Sequence, residues 1–503
     1  MPFERAAGVL LHPTSLPGPY GIGDLGPTAH QWVDWLASAE VKWWQILPLG
    51  PTGYGNSPYS ALSAFALNPL LISPEVLAEW GLLTAAEIAP AVAFAADEVE
   101  FGPVAEHKAA LLARAWERFR AGDQPALTQA ADEFLARPEI GGWAYDYALY
   151  LALKEAHDGA EWFNFEPGAA QREPAALAEW REKLAPRIDF HLFCQWAVYR
   201  QWMGLRAHAH ELEVRIIGDL PIFVSYDSAD VWCNRHLFQL NPDGSRRQVA
   251  GVPPDYFAEE GQLWGNPLYD WPANAADGYG WWTARVARSL ETVDALRFDH
   301  FRGFESYWSV PATAKTALEG AWEQGPGAHL FDHLRGVLGE LPIIAEDLGV
   351  ITTPVKQLRD HFAFPGMRVL QFAFHEGANF YLPHLYPTNT VVYTGTHDND
   401  TTIGWWATAT EVERTRALAY LDGEPDDIAA ALVRLALGSA ADLAVFPLQD
   451  LLSLGPEARM NVPGVATGNW GWRVAELPAA EVAAALLKLI LLFDRGHELP
   501  ELM

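Results

Sequence analysis

Five acidic side chains stand where chemistry can be done. Asp219 in IIGDLP, Asp299 in LRFDHF, Glu346 and Asp347 in IIAEDLG, and Asp398 in YTGTHDND each follow a short apolar run. One acid at the end of a strand is ordinarily a cap or a turn former. Four strand ends of this kind in one chain call for more. Without a P-loop or a metal-type histidine set nearby, clustered carboxylates suit acid/base work on a neutral substrate. Glycosidic bond cleavage needs that arrangement: one carboxylate ionised to attack the anomeric carbon, another protonated to release the leaving oxygen. Their pKa values must then be moved apart by their surroundings. Arg297 lies two positions before Asp299, on the same face of a strand, and can hold it ionised by charge pairing. Glu346 follows Ile343, Ile344 and Ala345, an apolar approach that would raise its pKa. Alternation alone leaves open whether Glu346 or Asp347 faces a pocket.

Something must bring these residues together. Apolar, β-rich runs cover Gly8–Leu16, Trp43–Pro51, Val214–Val224, Asp294–Phe301, Pro342–Gly349, Arg368–Phe374, Val391–Asn399 and Asp442–Leu452. Helical patterns lie between most of them, as in Thr28–Ala37, Glu411–Leu421 and Asp426–Leu437. Such alternation predicts an α/β fold, a parallel (β/α)₈ TIM barrel, with an open doubly wound sheet as the alternative. In a barrel the C-terminal strand ends converge on one face, where sites are assembled. The whole chain, 1–503, is then one barrel catalytic domain with inserted subdomains. The interval after Pro51 is far too long for a βα connection. Ser73-Pro74-Glu75 reads as a helix start, and Leu111, Leu112, Ala115, Trp116 and Phe119 form one stripe. Residues 72–190 are expected to be a mainly helical insertion. Residues 225–282, rich in Gly, Pro and aromatics, are expected to be a lid-like insertion at the barrel mouth.

Bulk properties narrow the partners. The formal net charge is −30, which repels phosphate backbones and anionic lipid, so neither nucleic acid nor membrane is expected. Cys194 and Cys233 are the only cysteines, giving no disulfide framework or thiolate zinc site. The start, MPFERAAGVLLHPTS, lacks a basic region and a long apolar stretch, so a cytoplasmic protein is expected. Val482–Phe493 is too short to span a bilayer and reads as a buried terminal helix. Twenty-two tryptophans, several in Gly/Pro-rich segments such as GQLWGNPLYDW and TGNWGWR, suit flat, C–H-lined ligands such as sugars. Two other motifs carry less. Gly21 to Gly26 fits GxGxxG, but the next strand ends in LPLG without the acidic residue a dinucleotide fold needs, so a turn is expected. His208 and His210 have no third ligand close in sequence and read as a helix end.

Taken with HPTSLPGPYGIGDLG, LPLGPTGYGNSPYSALSAFALNP, QLWGNPLYDW, LRFDHFRGF, IAEDLG, TGTHDNDT and NVPGVATGNWGWR, the sequence resembles the amylomaltases. These are 4-α-glucanotransferases (disproportionating enzymes) related to the α-amylase clan of glycoside hydrolases. The resemblance spans nearly the whole chain and implies a (β/α)₈ barrel with inserted subdomains. It implies Asp299 as nucleophile after the fourth strand and Glu346 as acid/base after the fifth, in preference to Asp347. Asp398, after the seventh, would be the transition-state stabiliser. Arg297, His300, His397 and Asp219 would line the same donor subsite. Tyr59, Trp264, Asn469 and Ser57 would contact glucan from loops, and Tyr54 would mark a secondary glucan site. The implied activity is transfer of α-1,4-glucan segments to the 4-hydroxyl of an acceptor glucan or glucose, by retaining double displacement. The partners are α-1,4-glucans and malto-oligosaccharides, and no metal or organic cofactor is required.

Overall fold

The computed structural model describes residues 3–89, 92–254, 259–377 and 379–496, the side chains of Tyr54 and Asn379 excepted. Each predicted run overlaps one strand of a closed parallel barrel. The strands are β1 (Ala6–Leu10), β2 (Trp43–Gln45), β3 (Arg215–Leu220), β4 (Ala295–Phe298), β5 (Ile343–Ala345), β6 (Gly366–Val369), β7 (Thr390–Tyr393) and β8 (Leu443–Pro447). Neighbours in sequence are neighbours in the barrel, and β8 closes on β1. Strand residues are largely apolar because both faces are covered, one by the lumen packing and one by helices. Ala295, Ile344, Val391, Tyr393 and Val445 pack in the lumen. Leu296, Phe298, Ile343, Ala345 and Val392 pack outward into the main core.

That alternation explains the polar residues in β4. Ala295 faces the lumen, so Arg297 and Asp299, at two-residue steps, emerge on the lumen side at its C-terminal end. The same step from Ile344 brings Glu346 inward and turns Asp347 toward the shell. Asp347 is buried there, bonded to Arg359 and accepting from the Met367 amide at 2.7 Å. Asp347 is therefore a strut between β5 and β6.

The helix Pro27–Ser38 covers the predicted stretch, and Glu411–Leu421 and Ile428–Leu437 follow their patterns closely. Between β2 and β3 the chain is helical. Ser73 caps a helix with Pro74 at its first position. Helix Phe101–Ala121 buries Leu111, Leu112, Ala115 and Phe119, with Trp116 packed beside them. The last helix, Pro174–Glu211, runs for 38 residues through position 190 and delivers the chain to β3. His208 and His210 lie in its final turn, where their Nε2 atoms meet Asp34 at 2.7 Å and Asp294 at 2.9 Å. They pair with two separate carboxylates.

A four-stranded antiparallel sheet stands beside the barrel, in the order Gln262–Pro267, Gln248–Val252, Ser306–Pro311, Ala321–Gln324. Two of these strands precede β4 and two follow it, so segment 225–282 supplies only half of the sheet. Trp271, from the same aromatic segment, is core, while Trp264 is 38% exposed.

GIGDLG is a packed turn. A Cβ on Gly23 would lie 2.0 Å from the Pro13 carbonyl oxygen, and Gly21 has φ +75°. Its Asp24 accepts from buried Lys108 of helix Phe101–Ala121 at 2.8 Å; Lys108 also donates to the Ile72 carbonyl at 2.7 Å. At the other end of the chain, Arg495 sits under the β1–β8 seam. Its Nη1 donates to the carbonyls of Ala6 and Asp442 at 3.0 Å each, and its Nη2 to Ala441 at 2.8 Å. Helix Ala480–Leu492 precedes it, with Ala483, Leu486 and Ile490 buried. Among the described residues no helix is long and apolar enough to cross a membrane.

Candidate active site

Asp219, at the end of β3, pairs with Arg297 across the parallel register. The Arg297 Nη1 donates to both Asp219 oxygens, at 2.9 and 2.7 Å, and to Asp299 Oδ1 at 3.0 Å. The Asp219 side chain is fully buried, that of Asp299 is 26% exposed, and that of Arg297 is 4% exposed. One guanidinium thus organises two acids, and only Asp299 is open to a ligand. From the sequence, Arg297 is expected to hold Asp299 ionised by charge pairing. In the folded chain, desolvation by burial outweighs the shared guanidinium, and the Asp299 carboxyl is raised. Burial pushes Asp219 up to about 7, against the pull of Arg297.

Glu346 is held by peptide groups. Its Oε2 accepts from the His300 amide at 2.8 Å and its Oε1 from the Leu348 amide at 2.9 Å. Burial pushes its carboxyl up to about 7, with Arg297 the largest opposing influence. The ladder continues past the strands: the Asp299 amide donates to the Leu220 carbonyl at 3.1 Å, and that of Glu346 to the Phe298 carbonyl at 3.0 Å. His300 has φ 47° and ψ 50°, a left-handed conformation uncommon for a residue with a Cβ. Its amide reaches Glu346 from this turn. The ring is met edge-on by Trp264 at 4.8 Å, and burial lowers its pKa to about 3, so it is neutral.

Asp398 follows β7 with its side chain 44% exposed. Asn461 Nδ2 donates to its Oδ1 at 2.6 Å, and Arg459 donates to its carbonyl at 2.9 Å. His397 lies beside it, Nε2 to Oδ1 3.4 Å, and burial lowers the pKa of its ring. Tyr59 joins these groups: its hydroxyl donates to Asp219 Oδ2 at 2.9 Å, and its ring stacks on His397 at 5.2 Å. Trp470 completes the cluster, 5.7 Å from the Tyr59 ring and 6.0 Å from that of His397.

Not every expected contact residue is free for a ligand. Both polar atoms of the Asn469 amide are engaged within its own loop, Oδ1 by the Val462 amide at 2.9 Å and Nδ2 by the Val465 carbonyl at 2.7 Å. Ser57 Oγ accepts from the Tyr59 amide at 3.2 Å and so shapes the turn that presents Tyr59. The Tyr54 side chain lies outside the described residues. Sequence reasoning missed Asn461 and Arg459, which hold Asp398; both stand just before the NVPGVATGNWGWR loop or at its start, the only signal available.

Three half-buried carboxyls therefore lie near enough for Asp299 to feel the charge of Asp398 and Glu346 that of Asp299, the first ion-paired, the second hydrogen-bonded by amides, the third held by an amide side chain. Residues 11–478 match a family model described as 4-alpha-glucanotransferase. A 4-alpha-glucanotransferase of Synechocystis is 49% identical over 475 residues, covering 93% of this chain and 94% of that protein. One from Thermus thermophilus is 48% identical, covering 94% and 95%. An amylomaltase from Streptococcus agalactiae, solved in complex with acarbose, superposes with TM-score 0.94 at 35% identity, covering 98% of this chain and all of that one. The chain belongs to the 4-alpha-glucanotransferase family.

Proposed function

We propose that the chain disproportionates α-1,4-glucans by retaining double displacement, with Asp299 as nucleophile, Glu346 as acid/base and Asp398 as transition-state stabiliser. The observation that carries this reading is the pairing of two reachable acids at adjacent strand ends in opposite company. Asp299 has a guanidinium hydrogen-bonded at 3.0 Å, which favours the carboxylate against the burial that raises it. Glu346 accepts hydrogen bonds from peptide amides, feels Arg297 only through space, and is raised to about 7, which favours the acid. Glu346 gives its proton to the glycosidic oxygen while an Asp299 oxygen bonds to C1, and the reducing-end fragment leaves as an alcohol. Glu346, now a carboxylate, takes the proton from the 4-hydroxyl of an incoming glucan. That oxygen displaces Asp299 and restores the starting enzyme. Charge on the sugar ring peaks beside Asp398, which Asn461 keeps oriented.

Arg297, Asp219, His300, His397 and Tyr59 form the walls of the donor subsite in this reading. Trp264 offers an exposed indole from the strand Gln262–Pro267, and segment 225–282 acts as a lid that favours sugar over water. Ser57 and Asn469 act through the turns they hold. Incubation with maltotriose tests the function. Transfer yields glucose together with longer oligosaccharides while the number of reducing ends stays constant. Reducing ends that rise without chain growth would instead mark a hydrolase.

A further inference from the structure

Between the C-terminal ends of β1, β7 and β8 lies a small, partly open cleft. His12, two residues past β1, and His397, past β7, both line it, as do Thr396, Asp400, Gln449 and Arg459. The two rings are 5% and 6% exposed. On each, Nδ1 is enclosed and has no hydrogen-bond partner among the described residues. A buried ring nitrogen is ordinarily satisfied by protein or water, and two unpartnered nitrogens on one polar cleft suit a bridging water. The cleft has space for about one.

The cleft's charged groups are already partnered. Arg459 donates to the carbonyls of Asp398 and Asn461, its Nη1 lies 3.8 Å from Asp400 Oδ2, and Asp400 also accepts from the Thr401 amide. Burial holds both imidazoles neutral near pH 7, His12 with a pKa lowered to about 3. His397 is also fixed in position, flat against Tyr59 with Nε2 toward Asp398. The Asp398 carboxylate on the Nε2 side favours a proton there, and a donor to Nδ1 from the cleft side would reinforce that choice.

We propose that His12 is a positioning residue for His397: its Nδ1–H donates to a water in the cleft, and that water donates to His397 Nδ1. The single proton of neutral His397 is thereby kept on Nε2, facing Asp398 and the substrate. His12 touches no reacting atom; it fixes the direction of the hydrogen bond that His397 offers. The inference rests on the reading of this opening as the glucan site, since only there does the Nε2 proton matter to turnover.

Long-range ¹H–¹⁵N spectra of histidine-labelled, ligand-free protein test it, with His397 assigned by a His397→Gln control. The expected signature is a neutral His397 protonated on Nε2. In His12→Phe this tautomer is lost or mixed, and maltotriose kcat falls about tenfold, the worth of one directed hydrogen bond, while KM stays within twofold. His12→Asn, which keeps a donor near the place of ring Nδ1, recovers most of both. A wild-type His397 protonated on Nδ1 overturns the proposal outright, whether or not the Phe variant folds. So does a His12→Phe protein with wild-type spectrum and kcat. Because the tautomer is read without substrate, a protein inactive on glucans that still shows the Nε2–H ring would overturn the functional reading and support the link to His12.

Discussion

The two acids differ in what they have to lose. If Asp299 is the proposed nucleophile, Asp299→Ala removes the atom that bonds to C1 and should abolish maltotriose disproportionation, by roughly 10⁴-fold or more, while leaving glucan binding measurable by calorimetry. Glu346→Gln should be as slow on maltotriose yet still release a burst of fluoride from an α-glucosyl fluoride donor, whose leaving group needs no proton, and then stall as the glycosyl-enzyme for want of a base. Equal losses on both donors would argue against Glu346 as the acid. The pH dependence follows from the same environment. Glu346 is raised from its ordinary value to about 7, so the proton-donating form prevails below that pH and is lost above it. The rate of glucosyl transfer from maltotriose should therefore fall as pH rises through about 7. Asp219 is raised to a similar value beside the same arginine, so the limb belongs to the cluster, and Asp219→Asn should displace it. For stability the sign is the same. Between the ordinary carboxyl range and 7 the folded form keeps protons that the unfolded chain releases, so this cluster's contribution shrinks as pH rises. The acids themselves were legible in the sequence because each ends an apolar run. Asn461 was not, since nothing in its neighbourhood reveals that a loop far along the chain returns to β7.

The elements that position the site were legible to the extent that their signals are local. Eight strand runs stood out because barrel strands are buried on both faces, and the helix start at Ser73 because capping is a short-range device. The four-stranded sheet was not legible: two locally paired strand couples are joined across β4 by Gln248–Val252 and Ser306–Pro311, and antiparallel partners so far apart leave no mark in either segment. Aromatic content misled at Trp271, where a Gly/Pro-rich surrounding conceals a core position. The turn Gly21–Gly26 shows how an element can borrow another motif's spelling. Its glycines admit the Pro13 carbonyl, and its aspartate receives a lysine from the helical segment. Lys108→Met should leave Asp24 enclosed without a counterion and cost about 3–5 kcal/mol, read as a lowered urea midpoint. Disproportionation should persist in the protein that remains folded, because no atom of this pair reaches the site.

Across the whole molecule one core joins the helical segment to the barrel. Leu111 and Tyr147 from the helices belong to the same buried cluster as Val9, Trp44 and Val392 of the strands. Unfolding should accordingly be registered together by helix signal and tryptophan emission. Arg495 is one of two arginines, with Arg5, that tie carbonyls at the β1–β8 seam. Arg495→Met would remove a donor from the carbonyls of Ala6, Asp442 and Ala441, the last two keeping the Ala6 amide and Arg5 Nη1, and a loss of about 3 kcal/mol is expected in the same urea experiment. A midpoint within error of the parent would show that the seam holds without it. Timing during synthesis follows from this arginine's place in the chain. On the ribosome, β1 emerges first and must wait for β8, and the clasp that secures the pair is translated later still. The circle of strands thus stays unlocked through almost the whole of elongation, and the catalytic pocket, which needs all of its staves in place, is among the last features of the nascent polypeptide to become permanent.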